Sequence, residues 1–252
     1  MEVEKVNVLG VGISVLDQDR AREFLFEALQ NGSRGYVTVT GVHGVSDAQK
    51  SSDFREILNN ALLCTPDGMP MVWMGRLQGH RSIARVYGPD LVLNICGASV
   101  AHGFTHFFYG GKPGVADELA DNMRTRFPGL RVVGTYSPPF RALNDAERSE
   151  LRRKIDNLQP SFFWVGLSTP KQEFFMAEYL PVLTGARIFV GVGAAFDLIT
   201  GKLKQAPVWM QRSGLEWFYR LTQEPARLWK RYLVNNPLFV ARAAAQLLGR
   251  GK

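Results

Sequence analysis

The sequence predicts an α/β protein: a Rossmann-like parallel sheet with helices on both faces, followed by a C-terminal helical appendage. Three observations predict it. From residue 36 to 200, short apolar β-prone runs alternate with helical patterns, without an internal repeat or long linker. That alternation is the mark of one doubly wound parallel sheet. Several of the runs stop in small-residue turns that open the next helix, where such sheets bind nucleotides. After Pro207 the pattern changes, and Trp209, Trp217, Phe218, Tyr219, Trp229 and Tyr232 crowd together among basic residues. These features divide the chain into a core, residues 1–206, and an appendage, residues 207–252.

Taken in order, Val6 to Leu16 offers two β-prone runs around Gly10 and Gly12, a hairpin pattern. Asp17 or Asp19 then caps a helix through Leu29 whose apolar stripe is Phe24, Leu25, Ala28 and Leu29. The triplet Asp17-Gln-Asp19 has the form of a metal-holding motif, but its place at a helix start favours capping. Tyr36 to Thr40 reads as a strand ending in the turn Gly41-Val-His43-Gly44, and a helix with Phe54, Ile57 and Leu58 inward follows. The short strand Ala61–Cys64 runs into Thr65-Pro-Asp67-Gly68-Met-Pro70. Pro-Asp-Gly is a common turn tripeptide. Yet its place after a strand makes Asp67 the best-sited carboxylate for acid–base work.

A helix from Val86 to Cys96 precedes the strand Thr105–Tyr109 and the loop Gly110-Gly111-Lys112-Pro-Gly114. Such a loop wraps a diphosphate with backbone N–H groups, although the P-loop spacing is absent. A helix to Arg126, a strand from Leu130 to Gly134 and a helix capped by Asn144 come next. The stretch Phe162-Phe-Trp-Val165 is then a buried strand, Gly166 to Thr169 its turn, and Pro170 the opening of a helix. Lys171 and Gln172 stand at the mouth of that turn. The last strand, Arg187–Gly191, leads into Gly191-Val-Gly193-Ala-Ala-Phe196-Asp197. Phe196 occupies the third glycine's place and no acidic residue follows at ribose distance, which disfavours a dinucleotide site.

Composition bounds the function. Of 252 residues, 46% are hydrophobic and 21% charged, so a packed core is expected rather than disorder. Cys64 and Cys96 lack metal-ligand spacing and fit a reduced, cytoplasmic protein. The N-terminus has no apolar signal region, and no apolar run reaches the roughly 18 residues of a membrane span. The net charge is +7, and eight Lys and Arg against Glu216 and Glu224 place +6 of it beyond Pro207. A near-neutral body with a basic, aromatic tail points to a membrane surface or polyanion as the tail's partner. At about 100° per residue the tail's basic side chains share one arc and its apolar ones the other. Pro225 is expected to split it into two helices, and Asn236-Pro237 to begin a third. A helical lid with buried aromatics is the competing reading. The whole pattern predicts that removing residues 207–252 leaves a folded core.

The motifs then resemble a known family. Thr65-Pro-Asp-Gly-Met, Phe107-Phe-Tyr-Gly-Gly-Lys-Pro-Gly114, Gly166-Leu-x-x-Pro-Lys-Gln-Glu173 and Val190-Gly-Val-Gly-Ala-Ala-Phe-Asp197 resemble the WecG/TagA/CpsF glycosyltransferases. So does the tail from Ala206-Pro-x-Trp-Met-Gln-Arg to Arg227. The resemblance covers residues 36 to 233 in family order.

It implies an inverting transferase that moves a sugar from a UDP-sugar onto a polyprenyl-diphosphate-linked sugar in bacterial surface polysaccharide assembly. It implies peripheral attachment to an anionic membrane surface at the cytoplasmic face, with the appendage completing the active site. By motif, Asp67 is the base and Thr38 lies beside the reacting centre. Gly110, Gly111, Lys112, Gly114, Gly166, Lys171, Gln172, Gly191, Gly193 and Asp197 hold the nucleotide. Arg220 and Arg227 reach the diphosphate, and Lys230 and Arg231 stand where the family often has basic residues. The family commonly shows Thr-x-Asn from the position of Thr38, whereas here Thr40 and then His43 border the sugar pocket. The donor is therefore of the UDP-glucose or UDP-N-acetylmannosamine type. No cofactor and no metal are expected, because backbone N–H groups and arginines neutralise the leaving UDP. A homo-oligomer in solution is compatible with this reading. A non-catalytic nucleotide-sensing membrane adaptor is the alternative, and it would not need Asp67. The near-neutral body and the lack of a nucleic-acid motif argue against nucleic acid as a partner.

Overall fold

The computed structural model describes residues 3–249, so Arg250 and Lys252 of the tail's charge count lie outside the described residues. The chain begins with a hairpin, β1 (Lys5–Val8) and β2 (Val11–Ser14), paired antiparallel across Leu9 and Gly10. Helix α1 (Gln18–Gln30) precedes β3 (Gly35–Thr40). Helices α2 (Val42–Ala48) and α3 (Ser52–Asn59) lead to β4 (Leu63–Pro66). Then come α4 (Met69–Leu77), α5 (Gly88–His102), β5 (Thr105–Gly110), α6 (Val115–Arg126) and β6 (Arg131–Tyr136). They are followed by α7 (Asp145–Leu158), β7 (Phe162–Gly166), α8 (Lys171–Tyr179), β8 (Ile188–Gly191) and α9 (Ala195–Ile199). The tail forms α10 (Val208–Arg212), α11 (Glu216–Gln223) and α12 (Pro225–Leu247).

Six strands form one parallel sheet in the order β4-β3-β8-β7-β5-β6. Phe107, Phe108 and Phe162 to Val165 are fully buried, as befits strands covered on both faces. The chain leaves β5 toward β6 but leaves β7 toward β8, in the opposite direction. The order therefore reverses between two hydrogen-bonded neighbours, whose register puts Gly110 opposite Gly166. Open α/β sheets bind ligands at the carboxyl ends of strands at such a switch point.

The chain forms two compact units, each built from more than one segment of the sequence. One unit contains the residues up to Gln18, Val39–Tyr87 and those from Gln205 on; the other contains Asp19–Thr38 and Gly88–Lys204. In the first, Phe239 and Ala243 of α12 are buried with Val6, Val8, Val11 and Ile13 of the hairpin and Phe54 and Leu58 of α3. The Gln246 side chain also ties to the hairpin turn, accepting from the Leu9 N–H at 2.8 Å. Burying a Phe is worth about 2–3 kcal/mol, so the tail is part of that unit's core. Deleting residues 207–252 is thus expected to unfold this unit, contrary to the sequence-based expectation.

Four local readings also change. Val42, His43 and Gly44 are not a turn but the first turn of α2, and Met69 and Pro70 open α4. Pro170 is the N-cap of α8. Pro237 begins no helix, because α12 runs through it. An interior proline costs about 3 kcal/mol, offset here by burial of Leu228 before it and Phe239 and Ala243 after it.

Candidate active site

In the first unit the site grows from Asp67. Strand β4 ends at Pro66, and the next residue's backbone N–H donates to the Thr40 carbonyl at 3.0 Å. This bond to the end of β3 fixes the Asp67 backbone at the strand's carboxyl end. The residue keeps a small opening to solvent, but its carboxyl group lies deep among protein atoms. Burial pushes its pKa up to about 6. The Arg85 charge opposes that rise, Glu216 adds to it, and Arg220 and Arg231 oppose it. The result is a carboxylate in the range a general base needs near neutral pH.

Arg85 links Asp67 to the tail. Its guanidinium lies 4.0 Å over the Tyr87 ring, donates to Gln211 Oε1 on α10 at 2.8 Å, and ion-pairs with Glu216 on α11. Burial, with Glu216 and Asp67 nearby, raises the Tyr87 hydroxyl pKa, while a hydrogen bond with the Gln205 side chain lowers it. Arg231 on α12 is largely enclosed, and its pKa is lowered by burial and by the Arg220 and Arg227 charges. Tyr232 and Asp47 act in the other direction. Arg220 and Arg231 thus lie in one region whose other charges include the ion pair Arg85–Glu216, and an anionic ligand would relieve their mutual repulsion.

The remaining predicted residues of this unit fall outside the set acting on Asp67. Arg227 is exposed and pairs with Glu224, and Lys230 lies 5.5 Å over the Trp229 ring. His43 Nε2 is 3.4 Å from Asp47 Oδ2 one turn along α2, and the Thr40 hydroxyl accepts from the Cys64 thiol at 3.3 Å.

In the second unit the switch point gathers the glycine turns. A side chain at Gly110 would meet the Gly166 carbonyl oxygen at 2.6 Å, and the backbone there has φ +126°, so only glycine fits. Gly110→Ala should lower unfolding stability by about 1–3 kcal/mol, read as a smaller urea midpoint. Thr38 on β3 is buried opposite Gly191 of β8. Lys112 and Lys171 are exposed, Gly114 is the left-handed N-cap of α6, and Asp197 lies in the first turn of α9.

Two of the expected backbone donors are already engaged. The Gly111 N–H donates to the Gly166 carbonyl at 3.1 Å and the Gly193 N–H to Gln172 Oε1 at 2.9 Å. Gln172 is itself buried. These two bonds hold the turns together by close packing.

Sequence reasoning missed Arg85, Gln211 and Glu216. Arg85 lies between α4 and α5, where no periodicity marks it, and Glu216 appeared only as a minor term in a basic segment. Asp67 followed by Gly68, with Arg85-Val-Tyr87-Gly88 beyond, was the available signal. Among the described residues, no three His, Cys, Asp or Glu side chains converge as a metal would require, and no helix is long and apolar enough to cross a membrane.

Comparison with known proteins gives the site its context. The model of the glycosyl transferase WecG/TagA/CpsF family matches residues 6–252. The chain is 32% identical over 186 residues to the N-acetylglucosaminyldiphosphoundecaprenol N-acetyl-beta-D-mannosaminyltransferase of Bacillus subtilis (strain 168), covering 74% of this chain and 70% of that protein. The protein of the same name from Bacillus spizizenii is 32% identical over 187 residues, with the same coverage of both chains. The chain belongs to the WecG/TagA/CpsF family and is a glycosyltransferase.

Proposed function

We propose that the protein is an inverting transferase that moves a sugar from a UDP-sugar onto a polyprenyl-diphosphate-linked sugar during bacterial surface polysaccharide assembly. The observation that carries this reading is Asp67, a carboxyl group held near pKa 6 at a strand end and surrounded by Arg85, Arg220 and Arg231. Its carboxylate takes the proton of the acceptor hydroxyl as that oxygen bonds to the donor's anomeric carbon. The bond from that carbon to UDP breaks on the opposite face, so one displacement inverts the centre. The arginines meet the charge that develops on the diphosphate. The switch-point turns at Gly110, Gly166 and Gly191 take the nucleotide, with Thr38, Lys112, Lys171 and Asp197 in supporting roles. The donor is UDP-glucose or UDP-N-acetylmannosamine in type, since Thr40 and His43 stand where the family commonly has a different sugar-pocket turn. The two Bacillus relatives are named for N-acetylmannosamine transfer to N-acetylglucosaminyldiphosphoundecaprenol, which makes that lipid the acceptor to try first. A donor screen for UDP release with this acceptor tests the reading: turnover with either donor is expected, and none with both contradicts it.

The arginines supply the positive charge that a divalent ion supplies in many nucleotide-sugar enzymes, so transfer is proposed to be metal-independent. Turnover should survive EDTA within about twofold; abolition by EDTA and restoration by magnesium or manganese would contradict this.

Peripheral attachment at the cytoplasmic membrane face rests on α12. At about 100° per residue, Trp229, Leu233, Val240 and Leu247 fall within about 40° of arc, and all four are exposed. Trp209 and Phe218 of α10 and α11 are exposed too. An apolar stripe beside basic residues suits the headgroup boundary of an anionic membrane.

A further inference from the structure

We infer that Glu173 is a positioning residue: through the Gln172 side chain it fixes the turn Gly191–Gly193 that follows β8. Its link to the nucleotide rests on the proposal above that this turn takes UDP. Glu173 and Gln172 are 1% and 2% exposed, a depth that Glu seldom occupies without a structural reason. The Thr169 hydroxyl, in the turn after β7, donates to Glu173 Oε1 at 2.8 Å, and Gln172 Nε2 donates to the same oxygen at 3.0 Å. Gln172 Oε1 in turn accepts from the Gly193 N–H at 2.9 Å. The chain of bonds therefore ties the turn after β7 to the turn after β8.

Glu173 also decides which way the Gln172 amide points. A flipped amide would set its oxygen against the Glu173 oxygen and its NH₂ against the Gly193 N–H, acceptor on acceptor and donor on donor. The amide also packs directly on the backbone. A side chain at Gly191 would come within 3.1 Å of Gln172 Nε2 and 2.7 Å of the Met176 methyl. The missing side chain at Gly191 leaves room for both the Met176 methyl and the amide. In this arrangement Gln172 acts by shaping the turn, and Glu173 acts through Gln172.

The test compares amide hydrogen exchange across Gly191–Gly193 with UDP titration in the full-length protein. Glu173→Ala should speed Gly193 exchange and weaken UDP binding, each by about tenfold, as one lost hydrogen bond would. Glu173→Gln, whose side-chain oxygen accepts the same two bonds, should stay within about threefold of the natural protein on both readouts. Unchanged Gly193 exchange in Glu173→Ala would overturn the inference. So would Glu173→Gln failing as fully as Glu173→Ala, since the group would then act by charge. Should Glu173→Ala not fold, Gln172→Met carries the same expectation for Gly193 exchange. If the natural protein ignores UDP, the donor assignment of this turn fails, while the exchange comparison still decides the relay.

Discussion

Asp67→Asn is expected to cut turnover by about 10²-fold or more, the usual cost of a lost general base, while making the folded protein more stable at neutral pH. Both effects come from the same enclosed carboxyl group. Its pKa rises from 3.8 to about 6 on folding, so between those values the folded state holds the proton more tightly than the unfolded chain. Stability is therefore full below about pH 4 and falls as the pH rises through 6. The shift corresponds to about 2–3 kcal/mol lost above pH 7. Asparagine is neutral and avoids that loss. The variant should unfold at a higher denaturant concentration than the natural protein at pH 8, with the gap closing at pH 4. Near-normal turnover in a folded Asp67→Asn protein would rule out the base, and equal midpoints at pH 8 would rule out the raised pKa.

The second large effect concerns membrane attachment. Replacing Trp209, Phe218 and Trp229 together by Ser should release the protein from anionic liposomes and cut turnover on a lipid-linked acceptor at least 100-fold. Burying one such ring is worth about 2 kcal/mol, so three match the contribution of the basic residues at about 1 kcal/mol each, and salt screens only the latter. These rings lie outside the buried core, being 64%, 51% and 47% exposed, so the variant is expected to keep its unfolding midpoint. That makes it a better probe than deleting residues 207–252, which removes Phe239 and Ala243 from the hairpin core. A natural protein that ignores anionic liposomes at low salt would contradict the membrane reading, and a variant that still pellets at physiological salt would contradict the role of the three rings.

What the sequence made legible follows from how local its signals were. Apolar β runs broken by Gly, Pro or Asp announce their own ends, so β5, β7 and β8 and their glycine turns could be placed, as could Asp67 just past β4. Asn144 at the start of α7 was equally readable, because its capping box with Glu147 needs only neighbouring residues. Arg85 was not, since its partners Gln211 and Glu216 lie 126 and 131 residues away. Long-range pairing leaves no periodic trace. Helix α12 defeated the proline rule because burial of its flanking residues outweighs the local penalty. The glycine turns were legible as turns, whereas the internal bonds of the Gly111 and Gly193 N–H groups were not, because their partners, Gly166 and Gln172, belong to other elements.

The most direct measurement is the pH dependence of kcat/KM for transfer to the lipid-linked acceptor, in the natural protein and in Glu216→Gln. The Asp67 carboxyl must be ionised to take the acceptor proton, so an acid limb centred near pH 6 is expected. Burial raises that pKa and Glu216 raises it further, against the opposing charges of Arg85, Arg220 and Arg231. Removing the Glu216 charge should therefore move the limb to lower pH. A profile flat from about pH 5 to 8 in the natural protein would contradict the assignment of Asp67 as the base.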